Sequence, residues 1–325
     1  MGSAMDIPAR VDPIPVRLAR RADVRELEGT LLRAAPPAGA VPRPELPADP
    51  SRDLKLGQLL LDSGKLSAAD AERVLRLQKA ENLRFGDAAV RLGLVSEQDI
   101  LLALARQFDY PYLAPGASGF SDELVAAYQP LTPQVEQLRA LRSQLMLRWF
   151  GTGQRCLALV GTGSSGTMSN LAANLAVVFS QLGERTLLID ANLRRPLLQG
   201  LFNLPARAGL SDVLIGRADA TAAVRIGPLL GLTVLGAGTQ PPNPAELLAR
   251  PSFFSLLRQS AEQFDVVLVN TAPGNLAEIL PVCAATEGAL LMVDQHLSSA
   301  AEVRGTATAL HNAGLTLVGG VLNQR

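Results

Sequence analysis

The residue types best suited to chemistry in this chain lie in one loop and the helix after it. A short apolar run over 156–160 predicts a buried parallel strand, and a turn rich in Gly, Ser and Thr precedes a helix predicted over 170–182. In such a layout, backbone N–H groups and the helix N-terminus hold a phosphate. The residues that could make these contacts are Gly163, Ser164, Ser165, Gly166, Thr167 and Ser169.

The loop departs from the phosphate-binding pattern GxxxxGK[ST] at two positions. Met168 stands where the pattern has Lys, and Thr167 stands where it has the second Gly, while Ser169 is kept. A β-branched residue is disfavoured at positive φ, so Thr167 is unfavourable if this position needs such a conformation. We therefore expect an architectural turn that holds a phosphate weakly at most.

The rest of the C-terminal part alternates short apolar runs with helical segments. The runs lie at 186–190, 232–235, 266–270, 289–293 and 317–322. Runs of this kind are typical of parallel strands buried on both faces. The sequence therefore predicts an α/β fold with a doubly wound, mostly parallel sheet over 151–325, whose ligands would bind at the carboxyl ends of the strands.

Composition limits the classes of function. The 325 residues carry no net charge, and only 4% are aromatic, which argues against a nucleic-acid partner. Since no run of 18 apolar residues and no signal-peptide pattern is present, we expect a cytoplasmic protein that reaches a membrane only through a partner. Residues 1–50, rich in Pro, Ala and Arg, predict a disordered tail. Within it, 23–34 predicts either a docking helix or a transient one.

An internal repeat follows the tail. The copies cover 55–78 and 84–107, and each contains a basic residue, an apolar residue and Gly, then a short helix, a Gly turn, a Ser cap and a second helix. Ser96 and Asp99 have capping-box spacing. The pattern predicts a small all-α domain over 51–115.

This repeat resembles the N-terminal domain of the cyclic di-GMP-binding subset of type II secretion and pilus-assembly ATPases. The resemblance implies that cyclic di-GMP binds here, although Lys55 replaces an Arg, and Ala71 and Ala89 replace Leu. A helical protein-interaction module without a ligand is the alternative. The implied ligand-binding residues are Lys55, Leu56, Gly57, Leu60, Leu66, Leu75, Gln78, Arg84, Phe85, Gly86, Val95, Ile100, Leu104 and Gln107.

Residues 116–150 predict a linker that contains a helix with the pattern ExxRxxR. Glu136, Arg139 and Arg142 share one face at this spacing, as they also would on a merely solvated helix. The pattern is similar to the oligomerisation helix of the bacterial tyrosine kinases of capsule and exopolysaccharide systems. The stretches GERTLLIDANLRRP, GLSDVLIGRAD, GTQPPNPAELL and GGVLNQR resemble the same family.

The family resemblance implies a nucleotide site that this chain has partly lost. Asn192 and Asn270 stand where the family has metal-binding Asp residues, and Asp190 and Ser169 are retained. The family also phosphorylates a Tyr-rich C-terminal tail, whereas the tyrosines here are Tyr110, Tyr112 and Tyr128. We therefore expect no catalytic residues, no metal site and doubtful binding of ATP with Mg²⁺.

The leading hypothesis is a non-catalytic, cyclic di-GMP-responsive regulatory subunit of exopolysaccharide biosynthesis or export. Its expected partner is a membrane chain-length-determinant protein or an active kinase, in a homo- or hetero-oligomer. One alternative is an active ATP-dependent tyrosine kinase or ATPase that controls chain length. Another is a scaffold that binds no nucleotide. His296 and His311, the only histidines, form no recognisable catalytic arrangement.

Overall fold

The computed structural model describes residues 56–107, 112–113, 119–130, 132–205, 207–229 and 231–323. The predicted tail over 1–50, its helix over 23–34, the ligand residue Lys55 and Tyr110 lie outside the described residues. Among the helices described, none is long and apolar enough to cross a membrane.

Four short helices form the N-terminal helical unit. They are α1 (Leu56–Asp62), α2 (Ala68–Glu81), α3 (Phe85–Arg91) and α4 (Glu97–Gln107). Helix α1 packs against α4, and α2 packs against α3, so each repeat places its first helix on the second helix of the other repeat. The buried core between them consists of Leu59, Leu60, Leu66, Val74, Ala88, Ala89, Val95 and Ala103.

Serine caps begin the second helix of each repeat. The Ser67 hydroxyl accepts the N–H of Asp70 at 3.1 Å. Ser96 and Asp99 form the reciprocal pair that the sequence predicts, since each side chain accepts the backbone N–H of the other residue. Lys65, in the turn of the first repeat, forms a 3.0 Å ion pair with Asp99, so a cap of one repeat also holds the turn of the other.

Seven strands form one sheet in the C-terminal part. Its order is β3-β4-β2-β5-β1-β6-β7, and every neighbouring pair is parallel except β3 with β4. The doubly wound, mostly parallel sheet predicted from the apolar runs is therefore confirmed. The strands are β1 (Cys156–Thr162), β2 (Thr186–Asp190), β3 (Val224–Arg225), β4 (Leu232–Leu235), β5 (Val266–Asn270), β6 (Gly288–Asp294) and β7 (Thr316–Asn323).

Helices cover both faces of the sheet. The first face packs against α5 (Val125–Tyr128), α6 (Pro133–Arg148), α7 (Ser165–Gln181) and α8 (Leu198–Leu201). The second face packs against α9 (Leu210–Leu214), α10 (Pro244–Leu248), α11 (Pro251–Gln263), α12 (Leu276–Thr286) and α13 (Ala300–Asn312). Because both faces are covered, the strand residues of β1, β2, β4 and β5 are almost all buried.

The segment predicted as a linker over 116–150 packs into the first face of the sheet. Leu124, Leu138 and Leu145 are buried in the same core as the strands. Residues 119–130 also lie along α7, where the buried side chain of Asn174 accepts the N–H of Ala126 at 2.9 Å and donates to the carbonyl of Glu123 at 2.9 Å. In the structure this segment is therefore an integral part of the α/β domain.

Contacts within the chain occupy the two arginines of the ExxRxxR helix. Arg139 bonds to Glu136 and to the Tyr112 hydroxyl, and Arg142 donates to the carbonyl of Val178 on α7 at 2.7 Å. The end of α6 is fixed by Trp149, whose ring nitrogen donates to the carbonyl of Cys156 at 2.8 Å. The oligomerisation role of Glu136, Arg139 and Arg142 remains a prediction.

We predict that Asn174→Ala destabilises the α/β domain by about 1–3 kcal/mol, because it leaves the buried N–H of Ala126 without its partner and the carbonyl of Glu123 with Asn170 alone. Urea unfolding followed by the fluorescence of Trp149, the only tryptophan, measures this loss. Gln137→Ala, at an exposed position on α6, is the control and should change stability by less than about 0.5 kcal/mol. Equal midpoints for the two variants would contradict the assigned role of Asn174.

Candidate functional site

The loop after β1 is closed by its own side chains. Helix α7 begins at Ser165, five residues before the predicted start at 170, because Ser164 caps it. The Ser164 hydroxyl accepts the N–H of Thr167 at 3.2 Å and pairs with the Thr167 hydroxyl at 2.8 Å. One of the amides that would hold a phosphate at a helix N-terminus is therefore bonded to the protein itself.

The expected backbone difficulty at Thr167 does not arise. Thr167 lies within α7 and is absent from the described residues that have positive φ, while the loop's left-handed position is Gly163, with φ of +115°. The phosphate-binding pattern has Gly at the position of Thr167, but the early start of the helix places this residue in the first helical turn. A β-branched residue is tolerated there.

Met168 fills the space in front of Gly161, near the end of β1. Its side chain is fully buried in the core on the first face of the sheet. A Cβ at Gly161 would overlap Cγ and Sδ of Met168, so the thioether lies directly on the Gly161 backbone. In a phosphate-binding loop the residue at this position extends a cation towards the ligand. Here the Met168 side chain packs into the protein core.

A hydrogen-bonded group stands at the carboxyl ends of β2 and β5. Asn270 Nδ2 donates to Asp190 Oδ1 and to Ser169 Oγ, both at 3.1 Å. Asp190 also accepts the backbone N–H of Asn192 at 3.2 Å and of Leu198 at 3.3 Å. The structure thus brings together Ser169, Asp190, Asn192 and Asn270, as the sequence predicts for strand ends of one parallel sheet.

Two amide atoms of this group lack partners among the described residues. They are Asn192 Nδ2 and Asn270 Oδ1, on side chains that are almost completely buried. The Asn270 amide is oriented by Asp190, because a carboxylate oxygen accepts an N–H and repels a carbonyl oxygen. The nitrogen of Asn270 therefore points at the retained Asp190 and Ser169.

These residues do not fit a Mg²⁺ ion. Magnesium needs anionic or carbonyl oxygens and water in a near-octahedral shell. Here Asp190 is the only carboxylate of the group, its two oxygens accept N–H groups, and Asn270 directs an N–H at both Asp190 and Ser169. In the part of the chain that the structure describes, no three His, Cys, Asp or Glu residues are grouped to hold a metal.

A second polar cluster consists of Arg194, Asn275 and Glu278. Glu278, almost completely buried on α12, accepts Arg194 Nε at 2.6 Å and Asn275 Nδ2 at 2.7 Å through the same oxygen. The other carboxylate oxygen of Glu278 has no partner in the described structure. The sequence did not single out Glu278, because an acid in the first turn of a helix is usually explained by the helix dipole.

The thiols and imidazoles offer no alternative nucleophile. Burial raises the pKa of Cys156 and Cys283 to about 12, with the charge of Glu287 contributing at Cys156. Both remain neutral thiols at physiological pH. His296 and His311 are exposed.

In the helical unit, five of the predicted ligand residues meet where α1, α3 and α4 cross. A Cβ at Gly57 would lie 3.1 Å from the Phe85 ring, and a Cβ at Gly86 would lie 3.2 Å from Ile100 and 3.6 Å from Leu56. Each glycine therefore faces apolar side chains at this crossing. The glycines let the helices approach closely, a role that the interpretation as ligand contacts did not include.

The remaining predicted ligand residues have different surroundings. Leu60, Leu66 and Val95 are buried in the core of the helical unit, and Leu75 is 46% exposed on α2. Gln78, Leu104 and Gln107 are half-buried. Arg84 is exposed and forms no ion pair with any described residue. Whether these residues bind cyclic di-GMP remains a prediction.

Comparison with known proteins identifies relatives. The chain is 30% identical over 197 residues to CapB of Staphylococcus aureus, described as a tyrosine-protein kinase, and this match covers 60% of the chain and 86% of CapB. It is 31% identical over 200 residues to the tyrosine-protein kinase Etk of Escherichia coli K12, covering 61% of the chain but only 28% of Etk. No family model matches the chain.

The fold is similar to that of a solved kinase domain. The kinase domain of the Escherichia coli tyrosine kinase ETK superposes with a TM-score of 0.59 at 32% identity, covering 62% of this chain and 79% of that domain. The similarity therefore extends over most of the kinase domain of ETK.

We predict a distinct pH dependence from Asp190. Burial raises its pKa to about 6, although the Asn270 side chain and backbone N–H groups act in the opposite direction. In the unfolded chain the pKa is about 3.9. Between these values the folded state holds a proton that the unfolded state releases, so the free energy of unfolding falls as pH rises through this window, by about 3 kcal/mol in total.

Asp190→Asn should remove this decline. Relative to the wild type, the variant should gain about 3 kcal/mol between about pH 4 and pH 6, in urea unfolding followed by Trp149 fluorescence. The control is Asp265→Asn, because hydrogen bonds from Arg185 hold the pKa of Asp265 below its usual value and its contribution changes only at lower pH. Parallel curves for Asp190→Asn and the wild type would refute the buried carboxyl's role.

Proposed function

The chain belongs to the bacterial tyrosine-protein kinase family, and we propose that it acts there as a regulatory subunit without phosphotransfer activity. In this proposal it responds to cyclic di-GMP and controls exopolysaccharide biosynthesis or export. Its partner is a membrane chain-length-determinant protein or an active kinase of the same system. The relatives support the family, and the role within it is inferred from the residues of the site.

The single observation that carries the proposal is the packing of Met168 onto Gly161. A working loop needs the cation at this position for the phosphates, and here the position is apolar and turned into the core. The charge that develops in phosphoryl transfer would find no cation in the loop and one carboxylate where the family has more. The Ser164 cap and the Asn270 amide act in the same direction, since each satisfies within the protein a group that a nucleotide or metal would use.

The cyclic di-GMP part of the proposal is supported by the helical unit. Arg84 is an exposed cation without an ion pair among the described residues, next to the apolar crossing of Phe85, Gly86 and Leu56. A flat dianionic ligand needs a guanidinium for charge-assisted bonds and an apolar surface for its bases. Arg84 directly precedes Phe85 in the chain, so the cation and the apolar crossing belong to the same end of α3.

We predict that Mg²⁺ and ATP leave the melting temperature of the wild type unchanged. A variant with Met168→Lys, Asn192→Asp and Asn270→Asp regains the cation and two acids, so the same ligands should stabilise it. A gain of about 1–2 kcal/mol corresponds to a rise of several degrees for a domain of this size. Thermal unfolding with and without each ligand measures the difference.

The matched control is the same triple variant with Ser169→Ala, which should lose most of the rise. A wild type that is itself stabilised by Mg²⁺ and ATP, and no longer so after Ser169→Ala, would overturn the non-catalytic assignment. It would favour the active ATP-dependent kinase, for which Ser169 and Asp190 are retained.

We predict that the full chain binds cyclic di-GMP and that Arg84→Ala weakens this binding by about 10- to 150-fold, the loss expected for a charge-assisted hydrogen bond. Isothermal titration calorimetry measures both affinities. The control is Arg91→Ala, at the opposite end of α3 from Arg84, which removes an exposed cation that is already paired with Glu81. Folded wild type that gives no binding heat would favour the scaffold without a nucleotide ligand.

A further inference from the structure

The two edges of the sheet are built differently. The edge strand β3 has two residues, runs antiparallel to its neighbour and carries an exposed Arg225. Short, charged edge strands are a common protection against pairing with another chain. The other edge strand, β7, has eight residues and the sequence TLVGGVLN, without a charge or a proline. Among the described residues, it pairs only with β6.

Two leucines of β7 are exposed. Leu317 is 39% and Leu322 is 48% exposed, whereas Val318 and Val321 pack against the core on the first face. Val318 is the extra residue of an irregularity in the β6–β7 register, which places Leu317 opposite Ala289 and Gly319 opposite Leu290. This extra residue allows Val318 and Val321, three positions apart, to contact the same core.

The β7 sequence is nearly symmetric about its centre. If a second copy of β7 runs antiparallel with a two-fold axis between Gly319 and Gly320, Leu317 faces Leu322 and Val318 faces Val321. Residues directly opposite in an antiparallel pair project from the same face. Core-facing valines would thus meet core-facing valines, and exposed leucines would meet exposed leucines. Such self-complementarity is what an isologous interface requires.

The helix beside this edge is compatible with the same axis. Helix α13 connects β6 to the parallel strand β7, so it runs opposite to β7, and the two-fold would align it antiparallel to its copy. Its first turn carries Glu302 and its last turn carries His311, both exposed. The first turn of one helix, with Glu302, would then lie towards the last turn of the other, with His311.

We propose that β7 is a dimerisation edge, at which two copies of this chain join their sheets through antiparallel β7 strands centred between Gly319 and Gly320. The surface is separate from the loop and from the helical unit. The inference therefore goes beyond the proposed function and does not depend on it.

Charge substitutions at the exposed leucines test both the interface and its register. In the proposed dimer, Leu317→Lys with Leu322→Lys places like charges opposite each other, whereas Leu317→Lys with Leu322→Glu places opposite charges there. Phe254→Lys, which removes a 43% exposed aromatic from α11, is the control for loss of an exposed apolar group. Sedimentation equilibrium of the full chain at micromolar concentration gives the mass, and circular dichroism verifies that each variant is folded.

We expect the mass of two copies for the wild type, for Phe254→Lys and for the Lys/Glu variant, and the mass of one copy for the Lys/Lys variant. A one-copy wild type overturns the proposal, as does a folded Lys/Lys variant with unchanged mass. A one-copy Lys/Glu variant would refute the register. These outcomes are independent of nucleotide binding.

Discussion

The buried carboxylate of Asp190 is the constraint on which the site depends. It lies at the end of the inner strand β2 and forms no ion pair with any described residue, so it must be satisfied by neutral donors. The amide of Asn270 is one of these donors, and the same amide nitrogen donates a second hydrogen bond to the Ser169 hydroxyl. A second acid at Asn270 would place two carboxylates in contact, an arrangement that a divalent cation or a shared proton would have to stabilise. The pattern of amides is therefore consistent with a site that is stable when nothing is bound.

Helix α7 links this site to the rest of the α/β domain. Its first turn forms the closed loop, Met168 packs its interior, and Asn174 and Gln181 bond to the backbone of the segment over 119–130. Arg142 of α6 bonds to the carbonyl of Val178 farther along the same helix. The segment that follows the helical unit in sequence is thus attached to the helix that begins at the loop. The loop and the segment over 119–130 are therefore connected through a single helix, α7.

Much of the fold could be predicted from the sequence because buried parallel strands are short apolar runs, and six of the seven strands lie at such runs, which begin at 156, 186, 232, 266, 289 and 317. Strand β3 was not predicted, since two residues carry no periodicity. The early start of α7 was missed because the capping residue Ser164 lies inside the glycine-rich pattern. The residues of the site were identified by type and position. The contacts among these residues were not predicted. The burial of Met168 depends on packing, and the orientation of the Asn270 amide depends on the neighbouring carboxylate of Asp190.

The reciprocal packing of the two repeats makes the helical unit one cooperative element. Since α1 rests on α4 and α2 rests on α3, a single repeat would leave both of its helices without their main partners. Two separate repeats could form the same core only by associating as two molecules. The five residues between the repeats make that association intramolecular, so the entropy lost on pairing is the closure of a short loop.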